Sequence, residues 1–593
     1  MEKEIKYKWN LADIYESDEK MYSDLEKCKV VTDVIEEFKG TLGDSSENIF
    51  NCYLKLEELN KIVIKVYGYS MLKHHQNMGD VNNLKMFKDV QNVQNDIDSR
   101  LSFILPEIVE ISDETLISYL NENDNLKKYK RVIEKILKDK KHVLNKEAEY
   151  VISKYSEILN SMDDIYSMLS NVDFKFEDIY DSNNMLNELT LAKYSKYMSS
   201  KDRKLRENAF NTVHLEYKKY INTITEIYIN SVKKDSITSK LKNYNSSIEN
   251  AVYNDDASIE VYNSLLKSVN DNININYRYM NLKKKMLKMN ELHLYDMYVN
   301  DLNEFDEEIS YTESMDIIKK ALSPLGNDYI SVIDKAFSNR WIDVYESENK
   351  HNGAYSMGVY GVHPYILSNY TNDVESVSTI AHELGHTMHS YYSSMSQPYI
   401  YSNYTILVAE VASTVNEMLL SEYMINNEND NRKKAALINS QIDRIRATLI
   451  RQTMFAEFEK TVHDKVNENI SLSSDDLCEI YLEINKKYFG ENVVVDDNIQ
   501  YEWARIPHFY SSFYVYKYAT GISSAIYIAN SILNKKEGYV EKYINMLKLG
   551  GSKDSLDILR SVDVDLETDT PVKEALKYYE KKIIQLEEIL NQI

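Results

Sequence analysis

The chain spreads 14 glycines and 6 prolines over 593 residues, roughly a quarter of ordinary usage. Residues that make tight turns or break helices are therefore scarce. A β-sandwich or barrel needs turn chemistry about every 8–12 residues, so an all-β fold is disfavoured and a mainly helical one is expected. Hydrophobic residues make up 43% and charged residues 28%, enough apolar side chain to bury a large core rather than remain disordered. The length predicts about three or four domains, or one large fold built from lobes.

The formal net charge of −24 argues against nucleic-acid binding, because holding phosphates needs a basic surface. Cys28, Cys52 and Cys478 are far apart, odd in number and in no metal-binding spacing. A reducing compartment suits them better than a disulfide framework. The opening Met1-Glu2-Lys3-Glu4-Ile5-Lys6 lacks the apolar core of a signal peptide. The longest charge-free run, 387–409, is rich in Ser, Tyr and Asn and contains Pro398, which makes a poor membrane span. A soluble cytoplasmic protein with no membrane partner is expected.

From about 17 to 350 the pattern is long, charged and helix-periodic. Ser17-Asp18-Glu19 predicts a helix start, with Met21, Leu25, Cys28, Val31 and Ile35 on one stripe and Gly40 as the stop. Similar helical stretches are read at 116–137, 147–169 and 208–240. No fixed period appears, so a regular solenoid is unsupported. The texture changes near 337. Residues 338–345 and 354–370 are aromatic, β-branched and broken by Gly353, Gly358, Gly361 and Pro364, which predicts a small strand-and-turn region. Helical signals then return, including a charge-free amphipathic stretch at 518–534.

The chemistry lies at His382-Glu383-Leu384-Gly385-His386. On a helix, positions i and i+4 share a face, so both imidazoles can meet one ion, and zinc suits two such nitrogens. Glu383 stands beside the ion and can hold the attacking water. Asn372 is expected to cap the helix, with Glu375 as its reciprocal partner. A catalytic zinc usually takes three protein ligands and keeps a fourth position open. The first acid after the motif is Glu410, alone in a run of apolar and small residues. A lone carboxylate in such a run is costly unless paired, so Glu410 is the expected third ligand. Glu417, seven residues on and on the same face, is expected to support a ligand. His389 is read as a neighbour or core histidine, because three ligands on one straight helix do not surround an ion.

His382 to His389 followed by Glu410, and preceded by Tyr365-Ile366-Leu367-Ser368-Asn369-Tyr370-Thr371, resembles the M3 zinc metallopeptidases, and among them the oligoendopeptidase F group. Three further segments match. They are Trp9-Asn10-Leu11-Ala12-Asp13-Ile14-Tyr15, Asn352-Gly353-Ala354-Tyr355, and the run from Trp503 through His508 to Gly521. The match is strong in the second half and thin from about 20 to 330.

The resemblance implies a mainly α, two-lobed peptidase around a deep substrate channel, with a small β region before the zinc helix. It implies an N-terminal helical lobe at 1–190 and a catalytic region at 191–593. It implies one zinc per chain held by His382, His386 and Glu410, with Glu383 as general base. It also implies a histidine and one or more tyrosines that hold the scissile carbonyl; His508, Tyr510 and Tyr516 match, and Tyr514 is a further candidate. Gly353-Ala354-Tyr355 is either a mobile loop over the channel or a plain turn that uses glycine's free φ.

The implied function is a zinc-dependent endopeptidase that cuts internal bonds of short, unfolded oligopeptides with a zinc-activated water. Mn²⁺ or Co²⁺ could occupy the same ligands. One alternative is a helical zinc carboxypeptidase that releases C-terminal residues; the other is a catalytically silent peptide-binding protein. An aminopeptidase is disfavoured, since no Gly-x-Met-Glu-Asn stretch holds a free amine.

Overall fold

A computed structural model describes residues 5–299, 302 and 308–593. Among them helices dominate and strands are few and short, as the shortage of turn residues predicts. Two compact units are each drawn from three stretches of chain. The first comprises Met1–Lys141, Asp306–Leu420 and Ile528–Asp563; the second comprises His142–Phe305, Ser421–Tyr527 and Val564–Ile593. These units interleave in sequence, whereas a division at residue 190 is linear.

In the first unit the helices Asp18–Glu36, Ser46–Gln76 and Val81–Arg100 pack on one another. Each start is capped from a side chain: Ser17 accepts from the Lys20 amide, Ser45 from Asn48, and Asp80 from Asn82 and Asn83. Such caps satisfy amides that have no partner within the helix. Met21, Leu25, Cys28 and Ile35 are buried as their spacing predicts. Thr32, rather than Val31, completes the buried stripe, and its hydroxyl donates to the Cys28 carbonyl at 2.7 Å. The helical stretch read at 116–137 divides into Asp113–Glu122, Leu126–Tyr129 and Lys130–Asp139.

The strand-and-turn region forms a three-stranded sheet from β1 (Ile342–Asp343), β2 (Tyr355–Met357) and β3 (Tyr365–Leu367), in the order β1-β3-β2. β1 runs parallel to β3, pairing Ile342 with Ile366; β2 runs antiparallel, pairing Tyr355 with Leu367. The central strand β3 is wholly buried, which explains its unbroken apolar character. The Trp9 segment anchors this sheet. Trp9 meets Tyr365 edge to face at 6.2 Å, and the Tyr365 hydroxyl donates to the Asn10 carbonyl at 3.0 Å.

Between β1 and β2 the chain is tied internally. Lys350 is fully buried, pairs with Asp343 at 2.7 Å, and donates to the carbonyls of Tyr345 and Ser368 at 2.7 and 2.5 Å. A buried ammonium is tolerable only with such complete partnering. Gly353 takes φ +80°, and the Asn369 amide donates to its carbonyl at 2.8 Å. Of the two expectations for Gly353-Ala354-Tyr355, this geometry is that of a turn leading into an edge strand.

In the second unit the stretch read as one helix at 208–240 is two, Arg203–Lys219 and Ile221–Leu241, broken at Tyr220 where φ −112° and ψ 11° leave the helical region. The expected helix near 147–169 is Lys146–Met168. Tyr228, Phe458, Trp503 and Phe509 build an aromatic core, with ring centroids 5.3–6.3 Å apart in its contacts.

Candidate metal centre and catalytic residues

His382 and His386 lie on the helix Val374–Ser396, whose apolar positions Val377, Ile380, Ala381, Leu384 and Met388 are completely buried. The cap is Asp373, not Asn372: Asp373 accepts from the Ser376 amide at 2.7 Å. Asn372 instead takes φ +62°, a left-handed turn that asparagine tolerates better than most residues. At N3 Ser376 returns no bond to the cap itself; its hydroxyl accepts the Thr371 amide, two residues before the cap, at 3.0 Å. Glu375 is one residue too early for that place.

Glu410 lies on the next helix, Ile406–Asn427. Gly385, inside the motif, lets the two helices approach: a Cβ there would stand 2.6 Å from the Ala412 carbonyl oxygen. Asn416, fully buried, ties the pair. Its amide donates to the Ala381 carbonyl at 3.1 Å, and its oxygen accepts from Tyr329 at 2.9 Å. A polar residue in an apolar helical run is the sequence signal for that tie.

The consequence is convergence. One ligand atom from each of His382, His386 and Glu410 lies within 4.8 Å of the others. The two Nε2 atoms are 3.1 Å apart, and the Glu410 oxygens stand 4.0 and 3.9 Å from His382 and His386. Two nitrogens on one tetrahedral zinc, at about 2.0–2.1 Å each, are separated by about 3.4 Å. A facing pair of imidazole nitrogens beside a carboxylate is a donor set that a divalent cation satisfies. The side chains keep 19–32% exposure, so solvent reaches the centre. The residues present fit a zinc-type ion.

Glu417 accepts from His382 Nδ1 at 2.5 Å, which leaves Nε2 of His382 free to ligate. Burial would lower the His382 pKa, but the Glu417 hydrogen bond and charge outweigh it and raise the value. His386 is lowered to about 4 by burial and by His382. Burial pushes Glu383 up to about 7, with Glu410 and Glu417 adding to the rise against the opposing pull of His382. His389 is fully buried and stacks on Tyr404 at 3.5 Å, so it is a core histidine.

His508, Tyr510 and Tyr516 belong to the second unit. Tyr516 is wholly buried, and its hydroxyl donates to Asp255 at 2.9 Å. The Tyr510 ring stacks on Tyr166 at 4.5 Å. The tyrosines beside His508 are Tyr514, with ring centroids 6.1 Å apart, and Tyr518, whose hydroxyl is 3.4 Å from His508 Nε2. Tyr518 escaped the sequence reading because so many tyrosines crowd this stretch. Tyr514 precedes the helix Tyr516–Leu533 that carries Tyr518, so no helical spacing pairs them; the two rings meet at 5.5 Å through the turn before the helix.

A cavity of about 300 Å³ opens between the Gly353 turn and the first turns of the motif helix. Gly353, Ala354, Asn369, Thr371, Glu375 and Thr379 are among the residues that line it. Edge strand β2 is fastened to the same helix, where Ser356 Oγ and Thr387 Oγ1 are 2.8 Å apart.

Comparison with known proteins gives the family. The family model described as Peptidase family M3 matches residues 196–578, and one described as Oligopeptidase F matches 107–176. Oligopeptidase PepF of Bacillus subtilis is 37% identical over 585 residues, covering 99% of this chain and 87% of the relative. Group B oligopeptidase PepB of Streptococcus agalactiae is 32% identical, with 99% and 98% covered. The crystal structure of oligoendopeptidase-F from Enterococcus faecium superposes with a TM-score of 0.74 at 28% identity, covering 97% of this chain and all of the other.

Proposed function

The chain belongs to peptidase family M3 and is a metalloendopeptidase; from that premise we propose that it is zinc-dependent and cuts internal bonds of short, unfolded oligopeptides. The observation that carries this reading is the meeting of His382, His386 and Glu410 within 4.8 Å on two closely packed helices. These three would hold the ion. When bound, zinc supplies Lewis acidity that lets water lose a proton near neutral pH and polarises a carbonyl.

The rest is the work of side chains. Glu383 takes the proton from the attacking water and returns it to the leaving nitrogen. Glu417 keeps His382 in the ligating tautomer through the bond to Nδ1. His508 donates to the carbonyl oxygen as negative charge develops, and one such donor is typically worth about 3–4 kcal/mol in the transition state. Tyr514 and Tyr518 are better assistants than Tyr510 or Tyr516, since both rings stand by His508 while Tyr516 is committed to Asp255.

An extended peptide adds to the edge of β2 by main-chain hydrogen bonds, which reads backbone more than side chain and favours broad sequence preference. The division into 1–190 and 191–593 and a cytoplasmic location belong to the same reading. Among the described residues no helix is long and apolar enough to cross a membrane, and the three cysteines are free and buried.

Incubating the purified protein with a peptide blocked at both ends, with and without chelator, tests the reading. Internal fragments that vanish with chelator and return with zinc support it. Cleavage only of unblocked peptides, one C-terminal residue at a time, would make it a carboxypeptidase. Binding without cleavage would make it a silent peptide binder.

A further inference from the structure

Glu459 sits on the helix Arg451–Asn467 with no exposed surface. One of its oxygens accepts the Phe513 amide at 2.7 Å, and the other is buried with no hydrogen-bond partner among the described residues. The groups that act on it electrostatically are Asp235 and Lys517, and its carboxyl in turn bears on Tyr228 and Tyr262. Lone charge in such surroundings is expensive, and burial raises this carboxyl well above the usual carboxylate range.

Phe513 has φ +58°. A bulky residue in the left-handed region is rare and strained, and persists only where its surroundings over-determine it. Here they do. The Phe513 ring is 1% exposed and packs on His463 at 4.5 Å and Tyr262 at 5.7 Å. On one side the Ser512 hydroxyl donates to Asp235; on the other Lys517 pairs with Asp255 at 2.7 Å. The reversal at Phe513 sends its own ring inward and turns the next residue, Tyr514, toward His508 and Tyr518.

We propose that Glu459 is a positioning residue for the proposed oxyanion-binding segment: its carboxyl holds the left-handed turn at Phe513 and so sets Tyr514 and Tyr518 against His508. The proposal rests on the reading of His508 given above. A neutral side-chain carbonyl would serve as well as the acid, whereas an apolar side chain would leave the Phe513 amide buried and unpaired.

The test uses the full-length, zinc-loaded protein with Glu459→Leu, Glu459→Asp and Glu459→Gln. In Glu459→Leu, amides across 511–518 should exchange with deuterium about tenfold faster. Its kcat toward a quenched oligopeptide should fall about a hundredfold while KM moves less than about twofold, with bound zinc unchanged. Glu459→Gln should restore both readouts. Glu459→Asp, polar but one methylene short, should resemble Glu459→Leu and decides the matter if that variant does not fold. Wild-type exchange across 511–518 in a folded Leu or Asp variant overturns the proposal, as do equal losses of kcat in the Gln and Leu variants. A wild-type enzyme that cleaves no peptide sinks the peptidase reading instead, while the exchange comparison still decides whether Glu459 holds the turn.

Discussion

Gly385 faces Ser413 across two helices so closely that a Cβ on the glycine would lie 2.4 Å from Ser413 Cα. Backbone cannot yield as a flexible side chain can, so any larger residue must push the helices apart. Glu410 sits one turn before Ser413, and its carbonyl accepts the Ser413 hydroxyl at 3.0 Å. Gly385→Ala should therefore cost about 1–3 kcal/mol of stability and displace the third ligand. Thermal unfolding and a zinc titration read both effects; a variant that binds zinc as tightly as the parent would refute the coupling.

Glu383→Gln should keep the metal and lose turnover. The amide cannot accept a proton, and removing a general base typically costs about 10²–10⁴-fold. Metal analysis beside a quenched-peptide assay separates the two effects. Substantial remaining activity would take Glu383 out of its role.

Glu417→Gln tests the hydrogen bond to His382. A support of this kind usually affects metal affinity by about 10–100-fold. Competition with a chromogenic chelator should show weaker binding, and added zinc should recover much of the activity. If affinity is unchanged, the 2.5 Å contact is not what orients the ring.

The tyrosines divide. His508→Ala and Tyr518→Phe should lower kcat more than they raise KM. Tyr516→Phe should instead cost about 1–2 kcal/mol of stability, because it strips Asp255 of a buried donor, and leave kcat of the folded enzyme nearly intact. Steady-state kinetics on the three variants, with melting curves, would expose a wrong assignment if Tyr516→Phe alone abolished turnover.

Acid should weaken the fold through two buried histidines of the second unit. His214 is depressed to about 4 and His463 to about 3, each chiefly by burial. Above the unfolded value near 6.5, both states leave these rings neutral and no penalty arises. As pH falls below 6.5 the unfolded chain takes up protons that the folded one refuses, so stability declines down to about pH 4 for His214 and pH 3 for His463. Denaturant midpoints measured from pH 7 to 4 should fall, and His463→Gln should flatten the slope; an unchanged midpoint would contradict neutral burial.

Much of this was legible before any coordinates. Scarce turn residues announced helices, and the four-residue spacing of His382 and His386 put both rings on one face. Glu410 stood out as a carboxylate with no business in an apolar run. Less legible were features set by neighbours distant in sequence. Asn372 and Asp373 are equally good caps by type, and only the backbone turn chose the second. The stretch at 208–240 has an unbroken helical pattern, yet the chain departs from helix at Tyr220. Among the tyrosines after His508, type and spacing offered no choice between an inward and an outward ring.

Composition and local periodicity thus determined the helical character, the paired imidazoles and the acid nearest them, because these depend on contacts within a few turns of one chain. Tertiary structure decided how near Glu410 comes, which nitrogen of His382 Glu417 occupies, and that Phe513 turns left-handed so that Tyr514 faces His508. Those outcomes depend on close packing between segments tens to hundreds of residues apart, where a missing Cβ or one buried acceptor selects among arrangements that the local pattern leaves equal in energy.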